Sequence, residues 1–270
     1  MKVRSSGISE IEHSVTGEKL TLLAVFAHPE DEAFGPSGTL ARYAGEGVRV
    51  SLVTAARDLA LLNARLTDSS VAMLGGAVLP RDKTCSCRAA GIHRVCLDDV
   101  PAQLQVLRSE VLEERLVRLI REVQAQVIVT YGPNGMSGDS EQMLVHRLAT
   151  RAFELAGDPR MFPQHAQDNL YAYQPQKLYY SVLPNSLINR WGLSGLQGVP
   201  DEQITTVLDV SPYSELKLKA VYCQRHHVLD YTRWLELNRG LEWNEEHFVL
   251  AASNLGRRTR KEKDLFAGLR

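Results

Sequence analysis

Four residues within five positions carry the chemistry that this chain offers most openly: His28, Glu30, Asp31 and Glu32. An imidazole three residues before a carboxylate suits a divalent ion such as zinc. Glu30, between them, suits a base for a metal-bound water. Two ligands do not complete a site, so a third must come from elsewhere in the chain.

The elements around the cluster say where it sits. The run Leu20 to Ala27 has the length and composition of a buried strand, and Gly35, Gly38 and Thr39 to Tyr43 read as a loop feeding a helix. The cluster therefore lies at the carboxyl end of a first strand, where open α/β sheets place their ligands. Further strands are expected at Val48 to Ala55, Arg94 to Leu97, Val127 to Tyr131, Lys177 to Leu183 and Ile204 to Val210. Helices are expected over about Pro80 to Ala90, over Leu107 to Gln124 with a stripe at Val111, Leu112, Leu116, Leu119, Ile120 and Val123, from the 132–138 loop through Met143 to Leu155, and from Pro212 to Cys223. Strands that alternate with helices imply an α/β fold of Rossmann-like type, a doubly wound and mostly parallel sheet with helices on both faces. No repeat or linker divides the chain, so one domain over 1–270 with a C-terminal elaboration from about 158 to 270 is expected.

Composition excludes several partners. The chain has 270 residues, of which 31 are basic and 32 acidic, so no broad charge favours nucleic acid or an anionic membrane. No window has the length of a membrane span and no leader-like stretch opens the chain, which points to the cytoplasm. Cys85, Cys87, Cys96 and Cys223 are too few for a disulfide framework and read as thiols.

The stretch Ala27-His28-Pro29-Glu30-Asp31-Glu32 resembles the signature of the PIG-L/LmbE-like family of zinc-dependent N-deacetylases. The resemblance continues through Thr130 to Gly135, Lys177 to Pro184 and Asp264 to Leu269. It implies zinc held by His28 and Asp31, with Glu30 as the base, and a small amino-sugar-like substrate. Arg57 matches an arginine that the family uses to hold the sugar, and Asp98-Asp99 offers a further hydroxyl contact.

The chain departs from the family where the second motif, Gly-His-Pro-Asp-His, is replaced by Gly138-Asp139-Ser140-Glu141-Gln142. By resemblance Gln142 stands for the third zinc ligand, and Asp139 for a histidine that assists at the carbonyl or the leaving amine. An amide oxygen is a weaker zinc ligand than imidazole. The same residues also have the form of a capping box, with Asp139 as N-cap and Gln142 reaching back to it. His146, one turn further along, is an alternative ligand, and His226 and His227 follow the later helix. Two readings remain open. One is a divergent hydrolase that removes an acyl group from an N-acylated amino sugar with zinc, or with a harder cation such as Mg²⁺ or Ca²⁺. The other is a metal-free, inactive or repurposed member, acting as a binding or partner protein or through its carboxylates alone. A homo-oligomer is compatible with either.

Overall fold

The computed structural model describes residues 19–28, 31–54, 109–192, 194–223, 244–256 and 261–270, together with the backbone at 93–96. Its framework is a seven-stranded sheet in the order β3-β2-β1-β4-β5-β7-β6. The strands are β1 (Thr21–Phe26), β2 (Arg49–Thr54), β3 (His93–Cys96), β4 (Val127–Tyr131), β5 (Lys177–Val182), β6 (Thr206–Asp209) and β7 (Glu245–Ser253). The helices are α1 (Asp31–Phe34), α2 (Ser37–Gly45), α3 (Ser109–Val123), α4 (Ser140–Leu155), α5 (Asn185–Trp191) and α6 (Ser214–Cys223).

β1 lies inside the sheet, next to the central β4, because every one of its residues can be buried, and all six are. It pairs in parallel with β2 on one side and with β4 on the other. A strand covered on both faces reads as an uninterrupted apolar run, and Leu22-Leu23-Ala24-Val25-Phe26 is one. The chain winds outward from β1 to β2 and β3, then returns to the other side at β4. The β1/β4 boundary is the switch point, so the loops that leave these two strands open a crevice between them.

α3 and α4 pack on each other and on β1, while α2 packs on β2 and α6. The Rossmann-like expectation is met, with strand positions within about two residues of those expected. The stripe of α3 is buried at Leu112, Leu116, Leu119 and Ile120, whereas Val111 is 38% exposed. The interior position nearby is taken by Arg121, which donates to the carbonyls of Ala156, Asp158 and Met161 and to His165 Nδ1. That guanidinium closes the carbonyl end of α4. Burial pushes it down from the usual arginine range.

Two elements differ from expectation. No strand is expected after Cys223, where the chain forms β7, and no helix between Leu183 and Ile204, where it forms α5. β7 pairs antiparallel with β5 and β6, both far earlier in the chain; its apolar run Phe248 to Ala252 has strand length, but its partners are not local. The helix expected over about 80–90 lies outside the described residues. No helix among the described residues is long and apolar enough to cross a membrane.

Candidate active site

β1 delivers Ala27 and His28 into the crevice, and the one-turn helix α1 turns the chain so that Asp31 faces back toward them. The Asp31 N–H donates to His28 O (3.3 Å), and the Asp31 carboxylate accepts from the His28 N–H (2.7 Å). This local ring explains the three-residue spacing. Asp31 Oδ2 also stands 3.3 Å from His28 Nδ1.

β4 supplies the next group from below. Tyr131 is fully buried, donates its hydroxyl to Asp31 Oδ2 and accepts from the Ala27 N–H (2.8 Å). Burial and the neighbouring Asp31 charge push this phenol well above its ordinary range, so it stays protonated as a donor.

α4 closes the other side. Asp139 is its N-cap, with Oδ1 accepting from the N–H groups of Glu141 (2.8 Å) and Gln142 (3.0 Å). The reciprocal half of the expected capping box is not formed. Gln142 instead turns inward, where its Nε2 donates to Asp31 Oδ1 (3.0 Å) and its Oε1 accepts from the N–H groups of Met136 (2.8 Å) and Ser137 (3.3 Å). The cap and the turned amide have separate partners, so the helix start and the crevice wall are built by adjacent residues. Glu141, in the first turn, places Oε2 2.9 Å from His28 Nε2. The imidazole is thus held between two carboxylates, Asp31 at one nitrogen and Glu141 at the other.

His146 lies beside the crevice on α4. Its Nδ1 is 2.9 Å from the Tyr131 carbonyl, which can only accept, so Nδ1 carries the proton. The ring meets Tyr180 edge to face at 4.8 Å, and burial pushes its pKa down. Glu30, Arg57, Asp98, Asp99, His226 and His227 lie outside the described residues. The roles of Tyr131 and of the Glu141–His28 contact escaped the sequence, which marks Tyr131 as a strand residue and Glu141 as a first-turn acid. A tyrosine at the last position of a strand that ends in the crevice is the signal that was available.

A tetrahedral zinc site needs three protein ligands with available lone pairs. The 3.3 Å between His28 Nδ1 and Asp31 Oδ2 matches two corners of one ion. Gln142, at the position of the third ligand in the family motif, presents N–H, not oxygen, to the other carboxylate oxygen of Asp31. Among the described residues no group of three His, Cys, Asp or Glu is placed to hold a metal. The described donors therefore do not fit a three-ligand zinc site.

Comparison with known proteins places these features in a family. The family model for GlcNAc-PI de-N-acetylases, PIG-L, matches residues 23–154, which include most of β1 and α4, all of β4, and His28, Asp31, Tyr131, Asp139, Glu141, Gln142 and His146. A 1D-myo-inositol 2-acetamido-2-deoxy-alpha-D-glucopyranoside deacetylase of Catenulispora acidiphila is 28% identical, over 92% of this chain and 89% of its own. The protein of that name from Thermomonospora curvata is 30% identical, over 77% of this chain and 80% of its own. Among solved structures, the N,N'-diacetylchitobiose deacetylase of Pyrococcus horikoshii has a TM-score of 0.61 at 16% identity, over 85% of this chain and 83% of that one. The 4-carboxy-2-hydroxymuconate hydratase of Pseudomonas putida has a TM-score of 0.56 at 17% identity, over 89% and 99%. A deacetylase and a hydratase thus share this fold, which by itself fixes no reaction. Matched along its first motif and across most of the Thermomonospora protein, this chain belongs to the PIG-L family.

Proposed function

We propose that the chain hydrolyses the amide of a small N-acylated amino-sugar glycoside, such as an N-acetylglucosaminyl inositol. The observation that carries this reading is the His28–Asp31–Tyr131 corner at the β1/β4 switch point. It lies within the segment shared with the de-N-acetylase family, and the named relatives act on an acetamido-glucopyranosyl inositol.

In the reaction, water adds to the amide carbonyl and the carbon–nitrogen bond breaks, giving a carboxylate and a free amine. The resemblance assigns the water's proton to Glu30. Asp31 fixes the His28 ring through the backbone and Nδ1, and Glu141 holds Nε2, so the imidazole cannot turn away from the crevice. Asp139 holds the helix end that carries Glu141 and Gln142. Arg57 is assigned to the sugar hydroxyls, which suits a guanidinium fork. Zinc is the cofactor that the resemblance implies. The described donors do not complete its site. A cytoplasmic location belongs to this reading, as does a small-molecule partner met by one chain or by a homo-oligomer.

A second reading rests on Gln142. An amide N–H in place of a ligand favours a member that binds an amino-sugar glycoside without turnover, or that works through Glu30, Asp31, Asp139 and Glu141 alone. The test is release of primary amine from N-acetylglucosaminyl inositol and N-acetylglucosaminides by the purified chain. Turnover that disappears in His28→Ala supports the hydrolase. Saturable binding of the glycoside with no amine released selects the second reading instead.

A further inference from the structure

The Gln142 amide is fixed at both ends, and its orientation follows from its partners. Turned over, its NH₂ would face the Met136 and Ser137 N–H groups and its oxygen would face the Asp31 carboxylate. The loop is shaped around that oxygen. Gly135 runs at φ +66°, and a Cβ there would stand 2.8 Å from Gln142 Cβ and 2.9 Å from Oε1. Gln142 is 6% exposed and Asp31 likewise 6% exposed, so the contact between them is sheltered from water. Asp31 accepts from the His28 N–H, the Tyr131 hydroxyl and the Gln142 amide, with both oxygens engaged.

A metal-ligating histidine donates its second N–H to an acceptor, usually a carboxylate or a carbonyl. The 132–138 loop offers the reverse, two N–H donors aimed at residue 142. Loop and side chain therefore agree on an acceptor oxygen at the back and a donor at the front.

We propose that the Gln142 amide stands in the place of a third metal ligand and holds the His28–Asp31 corner together by hydrogen bonding, so that the corner is assembled without a divalent cation. Ligation through Oε1 would compete with the two backbone N–H groups that it accepts from, and an ion between His28 Nδ1 and Asp31 Oδ2 would compete with the His28 N–H and the Tyr131 hydroxyl for that oxygen. This goes beyond the hydrolase reading and uses no substrate, so a failed turnover assay leaves it standing.

The test is thermal unfolding of the full chain in EDTA and in excess zinc, for the natural sequence and for Gln142→Glu. The substitution keeps an oxygen for Met136 and Ser137 but sets a second carboxylate oxygen against Asp31, a conflict that a cation relieves. The natural chain is expected to have the same Tm in both conditions, within about 1 °C. Gln142→Glu is expected to melt lower in EDTA and to gain about 5 °C or more with zinc. A natural chain stabilised by zinc to that degree, or weakened by EDTA, overturns the proposal. So does a Gln142→Glu chain that is as stable as the natural one in EDTA and indifferent to zinc. If the variant does not fold, equilibrium dialysis of the natural chain against zinc decides: no saturable site at micromolar ion supports the proposal, and one tight site per chain overturns it.

Discussion

Tyr131 shows how far a single residue can be read from a sequence. Its place at the end of β4 was legible, because Val127 to Tyr131 is an apolar run closed by Gly132-Pro133. Its hydrogen bonds were not, because they join β4 to a loop about a hundred positions earlier. Removing the hydroxyl leaves the buried Ala27 N–H without its acceptor and Asp31 without one of its donors. Tyr131→Phe is therefore expected to cost about 1–3 kcal/mol, read by urea unfolding. His28 and Asp31 were legible by type and spacing, since the three-residue interval closes a ring through the backbone. The facing of Gln142 was not, since an amide offers a donor and an acceptor and only the surroundings choose between them. Gly135 belongs to the same argument: Gly135→Ala combines a left-handed φ with a clash against Gln142 and is expected to destabilise by about 1–3 kcal/mol.

At the scale of elements, the loop that carries the motif is anchored by a buried ion pair from the second half of the chain. Glu246 on β7 accepts from the N–H groups of Gly38 (3.0 Å) and Thr39 (2.7 Å) at the start of α2. Lys217 on α6 donates to Glu246 and to the Gly35 carbonyl (2.7 Å). α2 has no side-chain cap of its own, and the Glu246 carboxylate serves its unsatisfied N–H groups from across the fold. A Cβ at Gly38 would meet Glu246 Oε1 and Val210 at 2.9 Å, so glycine is what lets the carboxylate approach. Lys217→Met would leave a buried carboxylate without its counter-charge and is expected to cost about 3–5 kcal/mol. The double variant Lys217→Met/Glu246→Leu is expected to cost less than the sum of the singles, as a double-mutant cycle would show. Additive losses would mean that the two groups do not act as a pair. The ion pair was not legible: the apolar run Phe248 to Ala252 marks a strand, but Glu-Glu-His at its start reads as surface and nothing local names its partners on α2 and α6.

At the scale of the whole molecule, the closing segment is part of the core. Leu265 and Phe266 are fully buried, and Leu265 N–H donates to the Tyr43 hydroxyl (2.7 Å). Glu262 meets the buried Lys177 ammonium at 3.0 Å from each oxygen. Deleting residues 261–270 would uncover two large apolar side chains, about 1.5–3 kcal/mol each, and strand a buried lysine. The truncated chain is expected not to fold cooperatively, which circular dichroism through a thermal ramp would show. The apolar character of Leu265 to Leu269 was visible in the sequence, but the buried ion pair was not.

Stability should also fall with acidity. Burial pushes the His247 imidazole below its ordinary 6.5, outweighing the nearby charges of Glu245, Glu246 and Asp201. The unfolded chain then binds the proton more readily, so this contribution is complete above about pH 6.5 and is lost as pH falls below it. Asp264 adds a second loss at lower pH. Burial alone would raise its pKa, but Arg270, the Phe266 N–H and the Tyr43 hydroxyl outweigh it and hold the carboxyl below 3.8. Tm is expected to drop between pH 7 and pH 5, with a flatter profile in His247→Gln. A Tm that rises over that interval would contradict the assignment.

The claim on which the rest turns is that Asp31 is served by an amide and a phenol in place of an ion. Zinc per chain, measured by elemental analysis on protein grown with ample zinc and dialysed without chelator, tests it most directly. The structure predicts a value well below one, and one tightly held zinc per chain would contradict it.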